Sequence, residues 1–126
     1  MNTQIALALA ASFGLGAMAV QVLHAQGRPP VYYIAEVEVT DLDGYMKEFA
    51  PKAAASSEAY GGHTLAAGQK ITAIEGEPPE GRVVVMRWDS LEQFRAWRDS
   101  PQYKEDRKIG DKYAAKIRAF AVEGQP

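Results

Sequence analysis

The sequence predicts an α+β domain in the order β-α-β-β-α-β, the ferredoxin-like or split-βαβ arrangement, with four antiparallel strands and both helices on one sheet face. Three observations predict it. Val31–Val39 (VYYIAEVEV) and Arg82–Trp88 (RVVVMRW) are runs of β-branched and aromatic residues. Each is followed at once by a helix-start signal, Asp41 after the first and Ser90 with Gln93 after the second. The chain between and beyond these two halves carries further short extended runs bounded by glycine and proline.

In the first strand, period-two alternation places Tyr33, Ala35, Val37 and Val39 on one face and Tyr32, Ile34, Glu36 and Glu38 on the other. Asp41 caps a helix whose Leu42, Tyr45, Met46 and Phe49 follow three-and-four spacing; Pro51 bends or divides it, and Gly61-Gly62 ends it. His63 to Ala67 and Ile71 to Glu75, separated by Gly68-Gln69-Lys70, are expected to form a second strand with a turn or bulge. Residues 76 to 81 (GEPPEG) read as a turn, followed by the third strand. The Ser90 capping box opens a helix presenting Leu91, Phe94 and Trp97. Ser100-Pro101 is a second start signal, so this helical region is expected in two pieces, the later one burying Tyr103, Ile109 and Tyr113. Ala115 to Glu123 closes the sheet.

With both helices on one side, the other sheet face lacks a cover. Tyr32 and Ile34 beside Glu36 and Glu38 make it too apolar to stay wet and too charged for an ordinary core. A second copy packed against it is the economical solution, giving a two-fold homodimer whose sheets enclose a mixed cavity.

Composition sets the surroundings of this domain. Of 126 residues, 14 are Lys or Arg and 16 Asp or Glu, a net charge of -2, which leaves no cationic field for nucleic acid. The absence of Cys excludes disulfides, thiolate nucleophiles and Cys-ligated metal. Residues 1 to 25 carry no charged side chain, and Ile5 to Leu23 form an uncharged, largely apolar run ahead of His24, Ala25 and a short Pro-rich lead, 26 to 30. This reads as a signal peptide cleaved after Ala25, although MNTQ lacks Lys and Arg and Leu23 is large for position -3. The competing reading is an uncleaved membrane anchor. Either places the domain outside the cytoplasm, periplasmic or secreted in the first case.

Several stretches are recognisable together. They are Tyr33-Ile34-Ala35-Glu36-Val37, Tyr60-Gly61-Gly62-His63-Thr64-Leu65, Ile74-Glu75-Gly76-Glu77-Pro78-Pro79, Arg82-Val83-Val84-Val85 and Trp97-Arg98-Asp99-Ser100-Pro101-Gln102-Tyr103. They resemble the family known as domain of unknown function 1330, over a single domain from about Val31 to Gly124. The resemblance implies the dimeric α/β-barrel superfamily and a homodimer, and it names no reaction. Exported relatives with a leader ending in His-Ala-Gln are similar to residues 24 to 26. This chain departs from many relatives in carrying His63 where they have a basic residue and Ala67-Gly68-Gln69 where they have Arg-Gly-Gly. If that Arg binds ligand in them, this chain lacks it.

The candidate ligand-binding residues are Tyr32, Glu36, His63 and Arg87, with His63 and Glu36 as candidate proton acceptors. His63 is the one His after the leader, so a site with two or three His ligands cannot form within one chain. It is either a general base facing the cavity or an ordinary strand-start His. Alternation puts His63, Leu65 and Ala67 on one face without saying which. Glu36 and Arg87 lie on neighbouring strands, so they form either a polar cavity floor, where Glu36 has a raised pKa suited to proton shuttling, or an interface salt bridge. Trp88, Phe94, Trp97, Tyr103 and Phe120 could stack on a ligand, but a core explains their spacing. Lys104 to Lys108 mixes charges as a solvated helix face does. No P-loop or dinucleotide fingerprint is present, and no cofactor or metal is implied. The leading function is therefore an exported homodimer binding a small molecule between its facing sheets. The alternatives are a cofactor-independent oxygenase, isomerase or lyase acting on a small aromatic or keto substrate, and a purely structural dimer.

Overall fold

A computed structural model describes residues 28 to 125; the expected leader, and the first two residues of the lead, lie outside them. The elements are β1 (Val31–Val39), α1 (Leu42–Gly44), a π-helical turn (Tyr45–Phe49), α2 (Ala50–Ala59), β2 (His63–Gly68), β3 (Arg82–Trp88), α3 (Leu91–Arg98), α4 (Pro101–Gly110) and β4 (Ala114–Glu123). The four strands form one antiparallel sheet in the order β2-β3-β1-β4. This is the α+β, ferredoxin-like arrangement that the sequence predicts. Among the described residues, no helix is long and apolar enough to cross a membrane.

β1 alternates as its sequence requires, with Val31, Tyr33, Ala35 and Val37 buried against the helices. Asp41 caps α1 by accepting the Gly44 N–H at 3.1 Å. The helical path does not break at Pro51. Just before it the chain widens into the π turn, with the Ala50 N–H bonded to the Tyr45 carbonyl. Pro51 has no N–H to return to Lys47 and its ring crowds that carbonyl, so an i to i−5 turn lets the helix pass it. α2 closes at the glycine pair, where the Gly62 N–H reaches the Ser57 carbonyl at 2.9 Å.

β2 departs from the expected pattern. His63 lies opposite Arg87, Thr64 opposite Met86 and Ala66 opposite Val85, so Leu65 is the extra residue of a bulge. The expected grouping of His63, Leu65 and Ala67 on one face is broken: His63 shares a face with Ala66, while Ala67 turns to the helix side. Ile71 to Glu75 is not a strand, and Ile74 stands 86% exposed. β3 already has β1 and β2 on its two edges, which leaves that run no inner position in the sheet.

The helical region forms in two pieces as expected, but α4 ends at Gly110, so that Tyr103 is buried while Ile109 and, beyond the helix, Tyr113 are half-buried. Ser90 Oγ accepts the Gln93 N–H at 3.1 Å, and Gln93 Oε1 reaches back to the Asp89 N–H at 3.2 Å. Ser100 Oγ accepts the Tyr103 N–H at 3.1 Å, with Pro101 at the start of α4. The core joins Val31, Tyr33, Ala35 and Val37 to Tyr45, Phe49, Met86, Trp88, Trp97 and Tyr103. Trp88 stacks on Trp97 at 5.2 Å between ring centres, and Trp97 meets Tyr103 at 4.5 Å. Phe94 packs against this cluster as well. Two expectations fail here. Phe120 is 48% exposed, because the β4 register turns Ala119 and Ala121, not Phe120, toward the helix side. Asp106 is buried, so the charge run of α4 is solvated on only part of its circumference.

Gly81 introduces β3 with φ 82°, and a Cβ there would collide with the Val37 carbonyl oxygen of β1; Gly76 has φ 72° with open space around it. Gly76→Ala is expected to cost about 1 kcal/mol, the left-handed penalty alone. Gly81→Ala should cost clearly more, since a sheet carbonyl cannot step aside. Urea unfolding midpoints check this, and equal losses would show that the loop yields at both positions.

Candidate functional site

A cavity of about 150 Å³, partly open to solvent, lies between the helix side of the sheet and the helices. Its apolar wall comes from Ala35, Val37, Val84 and Met86 of the sheet and from Phe49, Ala50, Ala53, Ala54 and Trp97 of the helical layer. The alanines leave the room: long side chains at those positions would fill it. An apolar cavity of roughly this volume holds one benzene ring.

Seven polar residues also line the cavity: Ser57, Thr64, Tyr33, Tyr45, Tyr103, Arg82 and Arg107. The Tyr33 and Tyr103 hydroxyls are organised by arginines. Arg98 Nη1 donates to Tyr33 Oη at 2.9 Å and to Tyr103 Oη at 3.0 Å, and Arg107 Nη1 donates to Tyr103 Oη at 3.2 Å. Arg107 Nε is anchored on Asp111 at 2.7 Å. The Arg98 guanidinium also lies 4.8 Å from the Tyr103 ring centre, within cation–π range. Arg82 projects from β3 in phase with Val84 and Met86, and its Nε is sealed from solvent without an acceptor among the described residues. Burial raises the pKa of Tyr33, with Arg98 opposing, and raises that of Tyr45, with Arg82 opposing. For Arg107, burial works to lower the pKa, but hydrogen bonds to Asp111 and Tyr103 outweigh it and the value is raised. Arg107 thus remains a cation, and Tyr33 and Tyr45 remain neutral, over the whole physiological range.

The residues singled out from the sequence lie on the other, open sheet face. His63, Arg87, Tyr32 and Val122 form one row across the four strands. Ala66, Val85, Ile34 and Phe120 form the next, and Gly68, Val83, Glu36 and Arg118 the third. Tyr32, His63 and Arg87 are therefore brought together. Glu36 shares their face but not their row, and the expected pairing of Glu36 with Arg87 does not form. Although β1 and β3 are neighbours, their register sets Val83 opposite Glu36. Arg87 bonds Asp89 at 2.9 Å, while Glu36 is held in a two-pronged ion pair by Arg118, one prong at 2.9 Å. Hydrogen bonding from Arg118 lowers the Glu36 pKa, opposite to the raised value that proton shuttling needs. None of Tyr32, Glu36, His63 and Arg87 lines the cavity. No group of three His, Cys, Asp or Glu suited to a metal occurs among the described residues.

The cavity residues were open to detection by two signals. Arg82 falls in phase with the buried residues of its strand, and Arg107 lies four residues beyond Tyr103 on one helical face.

Fold and cavity together define a ferredoxin-like α+β domain with a small cavity, lined in part by arginines, between its sheet and its helices. The family model described as "Domain of unknown function (DUF1330)" matches residues 30–125, and the chain belongs to that family. Among solved structures it is similar to a protein of unknown function from Rhodopseudomonas palustris, with TM-score 0.63 and 16% identity over 86% of this chain and 93% of that one. It is also similar to SnoaB, a cofactor-independent oxygenase from Streptomyces nogalater, with TM-score 0.58 and 11% identity over 78% and 95%. A dimeric protein of unknown function and ferredoxin-like fold from Bacteroides fragilis has TM-score 0.55 and 14% identity over 75% and 96%. At these identities the likenesses show the fold alone. No curated protein matches.

Raised tyrosine pKa values have a stability consequence. The folded values of Tyr33 and Tyr45 lie above the unfolded value of about 10. Their contribution is fully present below that pH and is lost as pH rises through the folded values. Stability should therefore fall in alkaline solution above about pH 10, and Tyr33→Phe should flatten that fall while lowering stability at neutral pH through the lost Arg98 bond. Unfolding free energies across the alkaline range check this; an unchanged slope would remove Tyr33 from the effect.

Proposed function

We propose that this chain is an exported, homodimeric small-molecule-binding domain whose ligand, a compound of about one aromatic ring, occupies the helix-side cavity of each protomer. The observation that carries this is the cavity itself, apolar over most of its wall, ring-sized, and furnished with fixed polar groups. The chamber on the helix side replaces a space between facing sheets as the better ligand room. The open face then serves assembly. Its Ile34, Val85, Phe120 and Val122 form an apolar strip, with Phe120 and Val122 about half exposed in the single chain, and Glu36–Arg118 borders it. The Bacteroides fragilis protein of the same fold, described as dimeric, supports a second copy as the cover. Tyr32, His63 and Arg87 become interface residues that could touch a ligand only across the dimer.

A cofactor-independent oxygenase, as SnoaB is described, would use the same chamber but needs a proton acceptor facing it. His63 and Glu36 both face away, so binding is the better supported function. Residues 1 to 25 serve as the export signal, with Gln26 the first residue of the mature chain.

Native mass spectrometry of protein from the cell envelope tests export, assembly and ligand retention in one measurement. The expected species is a dimer of chains beginning at Gln26; a monomer at micromolar concentration overturns the dimer, and an intact leader in the membrane fraction favours the anchor. For the cavity, toluene at ten times its dissociation constant should stabilise the fold by about 1.4 kcal/mol, raising Tm by several degrees. Ala53→Leu, which fills the chamber, should abolish that rise while the protein stays folded. A toluene effect of equal size in the variant would place binding elsewhere.

A further inference from the structure

We propose that the cavity selects a small aromatic oxyanion, with the Tyr103 hydroxyl donating its hydrogen to the ligand's charged oxygen and the guanidinium groups of Arg82 and Arg107 neutralising it. This deepens the cavity assignment above and rests on it.

The first observation is the saturation of Tyr103 Oη on its acceptor side. A phenolic oxygen has two lone pairs and one hydrogen. Arg98 and Arg107 each donate to Tyr103 Oη, at 3.0 and 3.2 Å, so both lone pairs are engaged. No acceptor for the hydrogen occurs among the described residues, and Tyr103 and its donor Arg107 both line the cavity. Two cations at the oxygen also polarise the O–H bond and strengthen it as a donor. An acceptor in the cavity, ideally a charged one, completes the set.

The second observation is independent of Tyr103. Arg82 faces the same cavity from β3, and its sealed Nε meets no acceptor among the described residues. A donor N–H sealed from solvent without a partner is costly, whereas a charge-assisted bond to a carboxylate or phenolate offsets that cost. Arg82, Arg98 and Arg107 together bond one carboxylate among the described residues, that of Asp111, which lies beside Arg107 at the mouth of α4's last turn. The polar end of the chamber is therefore short of negative charge. The remainder is apolar and sized for a ring, so the anion must be a single oxygen-bearing group on a small hydrocarbon body. A larger or multiply charged anion would lose the apolar contacts.

Isothermal titration with benzoate, 4-nitrophenolate, benzamide and toluene tests this in the intact protein. Benzoate should bind more tightly than benzamide, its neutral counterpart, both anions should bind more tightly than toluene, and the preferred anion identifies a carboxylate or a phenolate as the oxyanion taken. Tyr103→Phe keeps the ring and removes the donor. It should weaken the anions by roughly ten- to a hundredfold, the loss of one hydrogen bond to a charged group, and leave toluene unchanged. Arg82→Met should weaken the anions in the same selective way. Toluene binding with no preference for the anions overturns the oxyanion inference and leaves the cavity assignment standing. No binding of any of the four removes both. An equal loss of toluene and benzoate in Tyr103→Phe assigns Tyr103 to packing and overturns its role as donor.

Discussion

The register of β1 fixes the two faces on which everything else in this protein depends. β1 pairs with β3 on one edge and β4 on the other, so each of its residues sits in a row with partners from both. Because side chains alternate with period two, a slip of one residue would exchange the whole inner set for the outer one. In the observed register Tyr33, Ala35 and Val37 meet the helices, and Tyr32, Ile34 and Glu36 do not. Tyr33 then reaches Arg98 from α3, and through Arg98 it is tied to Tyr103 of α4. Sheet register and helix docking are thus coupled through one guanidinium, and the polar end of the cavity is a product of that coupling.

The cavity exists because two local features leave the interface between layers incompletely filled. The π turn brings both Tyr45 and Phe49 inward, since a wider turn aligns residues four apart more closely than an α-helix does. Directly after it, α2 offers Ala50, Ala53 and Ala54 to the sheet, opposite Ala35 of β1. Four short side chains facing one another cannot close the space that the flanking aromatics hold open. Packing at ordinary interior density would have removed a void of this size, and keeping it costs stability that a larger residue would restore. Its persistence beside cationic donors is why it is read as a site.

Much of this was legible from the residues, for reasons that differ by element. β1 and β3 declared themselves by composition, and Asp41, Ser90 and Ser100 marked helix starts because side-chain capping is a local interaction. The bulge at Leu65 was not legible on its face, because which residue is left unpaired depends on the partner strand. Ile71 to Glu75 looked like a strand because its composition suits one, yet no inner sheet position remained for it. At the candidate site the sequence drew attention to polar residues on the uncovered face, where charge is conspicuous. Arg82 and Arg107 were passed over because they sit among residues that pattern as core and helix surface; only the docked structure reveals that they frame a chamber.

The two faces divide the protein's charge in a way that bears on assembly. On the open side, Glu36 is matched by Arg118 within the same chain, and Arg87 by Asp89. Such pairs, largely exposed, contribute little to folding by themselves. They matter because they leave the face locally neutral, so two copies can approach without like charges meeting across the contact. The apolar strip formed by Ile34, Val85 and Phe120 is then free to supply the burial that holds an interface together. On the helix side the balance is opposite, with Arg82, Arg98 and Arg107 bonding a single carboxylate, that of Asp111, among the described residues. A surface that is neutralised internally suits a second copy of the chain, and a chamber left short of acceptors suits a ligand that carries one. The same sheet therefore presents its internally neutralised side outward and its acceptor-poor side inward.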